Sequence, residues 1–119
     1  MRNHPLVLQH LATAAPADCV ISTITRYELL VGVEKSANPI KERAKVDLLV
    51  RTCRQMRFDV PAAEHAAKVR AFLERQGAPI GPYDTLLAGH ALSQSFILVS
   101  ANVKEFSRVP GLTLENWEI

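Results

Sequence analysis

Apolar positions along this chain switch between helical and strand-like spacing, and the switches divide it into short elements. Leu6, Leu8, Leu11 and Ala12 recur at helical intervals and predict a short helix closing near Pro16. Cys19-Val20-Ile21 is a brief apolar run rich in β-branched residues and reads as a strand. Ser22 or Thr23 can cap a helix through Ile24, Tyr27, Leu30 and Val31, with Gly32 near its end. After the Ala37-Asn38-Pro39 turn, a second helix carries Val46, Leu49, Val50 and Cys53. Met56 to Val60 reads as a strand, and Pro61 opens a helix through Val69 and Phe72 to Gly77. The Pro79-Ile80-Gly81-Pro82 loop leads into a helix from about Tyr83 to Ser93. Strands follow at Phe96–Val99 and Leu112–Trp117, the last anchored by Trp117.

Strands separated by helical segments imply an α/β fold: a parallel sheet flanked by helices, in a single domain spanning residues 1–119. Such sheets ordinarily open with a strand that feeds the first crossover helix. This chain begins inside an apparent helix, so the expectation is that the first strand is missing and the domain is N-terminally incomplete.

Composition agrees with an ordinary globular domain. Of 119 residues, 48% are hydrophobic and 22% charged, which argues against disorder and coiled coil. No apolar run reaches the length of a membrane span and no signal-peptide core follows Met1, so a cytoplasmic protein is expected. Cys19 and Cys53 form no CxxC pattern and read as small apolar fillers. The net charge of +2 hides an asymmetry, because residues 41–75 hold nine basic against five acidic side chains. That segment could face a polyanion, or it could be two solvated helix faces.

Ligands of open α/β sheets bind beyond the carboxyl ends of the strands, and three positions there carry candidate chemistry. Glu28 falls in the stripe Ile24, Tyr27, Glu28, Val31, which places a carboxylate on the apolar face of its helix. A charge there needs a partner or a cation; the other reading is a Glu at the stripe's edge that reaches water, Arg26 or Lys35. Asp84 shares a face with Leu87, Ala88 and Ala91, yet its place in the first helical turn equally suits a carboxylate stabilising the helix dipole. Gly89 on this helix predicts close packing against another element. Ser100-Ala101-Asn102 forms a polar loop after the Phe96–Val99 strand, with Glu105 three residues on; Ser100 could equally cap the following turn and Asn102 be a turn residue. Carboxylates that converge repel unless a cation offsets them, and an oxygen-only donor set favours Mg²⁺ or Mn²⁺. His4, His10, His65 and His90 make no metal-binding spacing, and neither a phosphate-binding glycine loop nor a nucleophile elbow is present.

Taken together, Ile21 through Gly32, Pro79 through Asp84 with its helix, Leu98 through Asn102, Glu105-Phe106, Val109 through Leu112 and Glu115-Asn116-Trp117 resemble the PIN-domain toxins of the VapC type. The resemblance runs in order over nearly the whole chain. It implies a Mg²⁺- or Mn²⁺-dependent endoribonuclease, the toxin of a bacterial toxin–antitoxin pair, with an antitoxin partner and a homodimeric state. Glu28 resembles the family's second acidic position, Asp84 its third and Asn102 its fourth. Ser100 matches the hydroxyl residue that supports that loop. Glu28 and Asp84 are accordingly expected to hold the metal, with Asn102 assisting and the basic 41–75 segment attracting RNA.

One departure stands out. The family's first carboxylate closes an N-terminal strand, and the only acid before Glu28 is Asp18, which precedes the wrong strand. The chain's true start could lie upstream, the gene could be decayed, or another group could replace the lost Asp. The alternative function is a catalytically inactive remnant that binds antitoxin or dimerises without cleaving RNA.

Overall fold

The computed structural model describes residues 6–8, 19–100 and 102–115. In chain order the elements are β1 (Leu6–Leu8), β2 (Cys19–Ser22), α1 (Thr23–Lys35), α2 (Pro39–Thr52), β3 (Arg54–Met56), α3 (Val60–Arg75), α4 (Pro82–Gln94), β4 (Ile97–Val99), α5 (Val103–Phe106) and β5 (Thr113–Glu115). The strands form one sheet in the order β3-β2-β1-β4-β5. Every pairing is parallel, so all five carboxyl ends emerge along one edge.

Strand alternation sorts the core onto two faces. Val20 and Leu98 point to one side, where Val69 and Leu73 of α3, Ala88 and Ala91 of α4, and Phe106 of α5 pack over them. Ile21, Ile97 and Val99 point to the other, against Leu49, Cys53 and Leu29 of the α1–α2 layer. The expected α/β sandwich is therefore present, and Cys53 is the buried apolar filler expected of it.

The amino-terminal expectation is corrected. Leu6–Leu8 is a strand, not the first turn of a helix, and it occupies the centre of the sheet, paired with β2 through Leu6↔Cys19 and with β4 through Leu6↔Ile97. The sheet described here thus has no empty central position, contrary to the expected missing strand. Three consecutive apolar residues fit a strand covered on both faces as well as a helical stripe. The unpaired N–H and C=O groups of β2 and β4 decide between them, because a strand in that position satisfies both neighbours. The rest of the expected helix, and Trp117, lie outside the described residues.

One boundary also moves. The third strand covers Arg54–Met56 and not Met56–Val60, because the Asp59 side chain caps α3 by accepting from the Ala62 N–H at 3.1 Å. A good cap with Pro61 in the first turn outcompetes extension of an exposed edge strand. Gly32 lies near the end of α1 as expected, three residues before Lys35. Ser22 caps that helix as predicted, its Oγ accepting from the Ile24 N–H at 3.1 Å.

Candidate active site

Two strands deliver the site to the carboxyl edge of the sheet. Ser22 ends β2 and starts α1, which carries Glu28 one and a half turns later. β4 ends at Val99, and the buried Ser100 begins the loop to Asn102. The Ser100 hydroxyl accepts from the Asn102 N–H at 2.9 Å, which shapes that loop locally. Asn102 in turn donates from Nδ2 to Asp84 Oδ2 at 3.0 Å, joining the loop to the first turn of α4. Gly81 is the N-cap of α4 and supplies no side chain, so Asp84 turns its carboxylate to the loop while keeping its favourable place at the helix amino end. Asp84 thus keeps its first-turn position and meets Asn102 in one conformation.

Glu28 needs a correction of its own. The buried positions of α1 are Thr25 and Val33, with Leu29 between them packed on the sheet. The stripe Ile24, Tyr27, Glu28, Val31 is rotated away from the core, and Tyr27 is 51% exposed. Glu28 is half-buried at the rim of a cleft of about 470 Å³ shared with Leu29, Gly32, Val33, Ser36, Glu42 and Val46. The carboxylate is not enclosed in apolar surroundings, because helix rotation is set by which face the sheet covers and the local stripe alone does not specify it.

The link between the two carboxylate-bearing helices is aromatic. Tyr27, next to Glu28, and Tyr83, next to Asp84, share a hydrogen bond between hydroxyls at 3.2 Å, with ring centroids 5.5 Å apart and planes tilted by 48°. Tyr83's phenol is held above its ordinary pKa chiefly by that hydrogen bond, with the negative charge of Glu28 adding to it. Glu28 is thus within electrostatic reach of the residue that immediately precedes Asp84. The sequence signal for this pair was an aromatic residue directly before each candidate carboxylate.

A second connection lies beneath. His90 of α4 is buried, and its Nδ1 is 2.9 Å from Ser22 Oγ. Ser22 Oγ thus accepts from the Ile24 N–H and shares a second hydrogen bond with His90 Nδ1, whose direction follows the imidazole tautomer. The imidazole Nε2 is buried with no hydrogen-bond partner. Burial lowers the His90 pKa, against the opposing pull of Asp59 and the Arg57 carbonyl. The ring also meets Phe58 edge-on at 5.5 Å. His90 therefore belongs to the packing between α4 and the start of α1.

Arg108 was not anticipated. It donates to the Pro79 carbonyl at 3.1 Å and lies 3.8 Å from Glu105, fastening α5 to the loop before α4. Of the basic 41–75 segment, Arg43, Lys45 and Arg70 pair with Asp47, Glu42 and Glu74 on their own helices.

Among the described residues no group of three or more His, Cys, Asp or Glu converges as a metal cluster. The donors present are two carboxylates and an amide, all oxygen, and Mg²⁺ is commonly held by one or two carboxylates with water and phosphate completing its shell. In kind, the residues fit such an ion. Leu8 of β1 is followed in sequence by Gln9 and His10, so no acid stands where the resemblance would put the first carboxylate.

A five-stranded parallel sheet in this order, with an Asp–Asn pair at its carboxyl edge and a Glu on the helix that follows β2, has the architecture of an α/β domain of the PIN class. The PIN domain family matches residues 2–112, and the chain belongs to that family. Within it the chain is 37% identical over 117 residues to the tRNA(fMet)-specific endonuclease VapC of Salmonella typhimurium, covering 98% of this chain and 89% of that protein. It is 36% identical over 118 residues to Ribonuclease VapC2 of Haemophilus influenzae, with the same coverage. The fold matches a chain of the DNA-bound VapBC structure from Salmonella typhimurium with a TM-score of 0.88 at 33% identity, over 97% of this chain and 99% of that one. VapBC-1 from nontypeable Haemophilus influenzae matches with a TM-score of 0.82 at 28% identity, over 94% and 96%. The resemblance read from the sequence is borne out. Among the described residues, no helix is long and apolar enough to cross a membrane.

Proposed function

We propose that this chain is an endoribonuclease, the toxin of a VapBC-like pair, acting in the cytoplasm with Mg²⁺ or Mn²⁺. The observation that carries the reading is the 3.0 Å contact of Asn102 with Asp84 at the sheet's carboxyl edge, in a chain so similar to VapC ribonucleases. Glu28 and Asp84 would hold the ion, which when bound supplies Lewis acidity for attack of water on a phosphodiester. Asn102 fixes the Asp84 carboxylate through Nδ2 and leaves its Oδ1 for the ion or the attacking water. Ser100 holds Asn102 in place through the loop hydrogen bond. The relatives crystallised as VapBC complexes support an antitoxin partner for this chain, and a homodimer is the assembly proposed with it.

The test is cleavage of initiator tRNA and other RNAs by the full chain, with Mg²⁺ or Mn²⁺ and with EDTA, beside Asp84→Asn and Glu28→Gln. Metal-dependent cleavage abolished by either substitution is expected. Cleavage that persists in EDTA, or in Asp84→Asn, would overturn the assignment. Antitoxin binding with no cleavage under any metal would point to a remnant that only binds.

A further inference from the structure

We propose that Tyr27 and Tyr83 form a stacking platform for an unpaired nucleobase of single-stranded RNA, positioned beside Glu28 and Asp84. The inference rests on the nuclease reading above and specifies the state of the RNA it takes.

Both rings lie open to solvent, at 51% and 41% exposure, although most large apolar side chains among the described residues are covered. They come from different helices, 56 residues apart in sequence, and the fold brings them together, each directly preceding a candidate carboxylate in the chain. The hydroxyl–hydroxyl hydrogen bond at 3.2 Å and the 48° tilt hold the pair in a fixed relation. A base docking on it need not order loose side chains first, which favours binding. The immediate neighbours of the rings, Glu28 and Asp84, are acidic, so phosphate is repelled at this spot unless a cation intervenes. A nucleobase face carries no such charge and stacks on a phenol ring. Only a base already out of a helical stack can do so, which selects single-stranded or looped RNA over duplex. A base on the platform would leave its flanking phosphate to the adjoining carboxylate site. Arg26, whose guanidinium donates to Gln55 Oε1 at 2.6 Å, is the basic residue directly preceding Tyr27 and can accompany the strand.

The competing role is mechanical: the Tyr27–Tyr83 hydrogen bond could simply clasp α1 to α4. The two roles separate on which part of the side chain matters. Fluorescence anisotropy with Ca²⁺ in place of Mg²⁺ or Mn²⁺, a divalent cation that offsets the carboxylates and is a poor activator of hydrolysis, gives the Kd of the full chain for a labelled single-stranded RNA octamer and for a duplex of the same sequence. Tyr27→Ala and Tyr83→Ala should each weaken single-strand binding by about tenfold. Tyr27→Phe and Tyr83→Phe, which keep the rings and lose only the pre-ordering hydrogen bond, should weaken binding by no more than about threefold, and duplex binding should not change with any of them. If an alanine variant loses its fold by circular dichroism, an octamer with single abasic positions scanned along it probes wild type instead. One abasic position should then cost wild type about tenfold. Phenylalanine variants as weak as the alanine ones would leave only the clasp. Unchanged alanine variants, no abasic position that matters, or no binding of the octamer would each overturn the platform. Failure of the nuclease reading shows separately, as absent metal-dependent cleavage by wild type.

Discussion

Gly89→Ala should destabilise this protein sharply, although alanine is the better helix former. Gly89 lies on α4 where that helix meets α3, and an ideal Cβ built there would sit 2.6 Å from Ala66 Cβ and closer still to the Ala66 Cα and backbone nitrogen. Carbon atoms rest at about 3.5–4.0 Å, so α3 would have to retreat by roughly 1 Å. No rotamer change can relieve the clash, because most of it is with backbone. The retreat would loosen the seam in which Ala62, Ala66, Val69 and Leu73 of α3 lie buried against α4. Overpacking costs about 1–3 kcal/mol, and a backbone obstacle belongs at the upper end; the helix propensity gained returns about 1 kcal/mol. A net loss of about 2 kcal/mol corresponds to a Tm about 8 °C lower for a chain this size. Thermal and urea unfolding followed by circular dichroism measure it directly. Adding Ala66→Gly should recover only part of the loss, since it removes the Cβ contact and leaves the backbone ones. A Gly89→Ala protein with unchanged or raised Tm would refute the close-approach argument.

Three other perturbations read different parts of the structure. Ser22→Ala removes the cap of α1 and the partner of His90 together, and should cost about 1–3 kcal/mol in urea unfolding; a cost within error would mean the buried imidazole finds another partner. A histidine whose folded pKa is lowered binds its proton more readily when unfolded. His90's contribution is therefore complete above the unfolded value near 6.5 and lost as pH falls through the lower folded value. Stability measured from about pH 7.5 to about pH 5 should decline more steeply in wild type than in His90→Asn, and parallel profiles would contradict this. Asn102→Ala should lower RNA cleavage by about 10–100-fold while leaving the fold intact, because Asp84 loses the donor that orients it; undiminished cleavage would remove Asn102 from the site.

The site depends on connections of very different sequence range. Ser100 and Asn102 are two residues apart, and their hydrogen bond is a local turn that the polar loop after an apolar strand already suggests. Asp84 and Asn102 are 18 residues apart and meet only because α4 returns the chain to the sheet before β4 begins. Ser22 and His90 are 68 apart, and their contact has no local signature at all. Ser22 looked like a helix cap and is one, but its second partner comes from the opposite layer of the fold.

What the sequence determined by itself was everything set by short-range periodicity and capping. The helices over 23–35, 39–52, 60–75 and 82–94, the strands at 19–22 and 97–99, and the tight packing at Gly89 follow from spacing, caps and side-chain size. The family was legible in the order of several short motifs, and the proposed roles of Glu28, Asp84 and Asn102 rest on that resemblance. Tertiary structure decided the rest. Leu6–Leu8 became a strand because β2 and β4 both present backbone groups that only a strand between them can satisfy. Glu28 came to the rim because the sheet covers the Thr25–Leu29–Val33 face of α1 and leaves the neighbouring stripe outside. Tyr27 met Tyr83 because two helices remote in sequence converge over one edge of the sheet. In each case the deciding energy is a contact between distant segments, which no window of neighbouring residues contains.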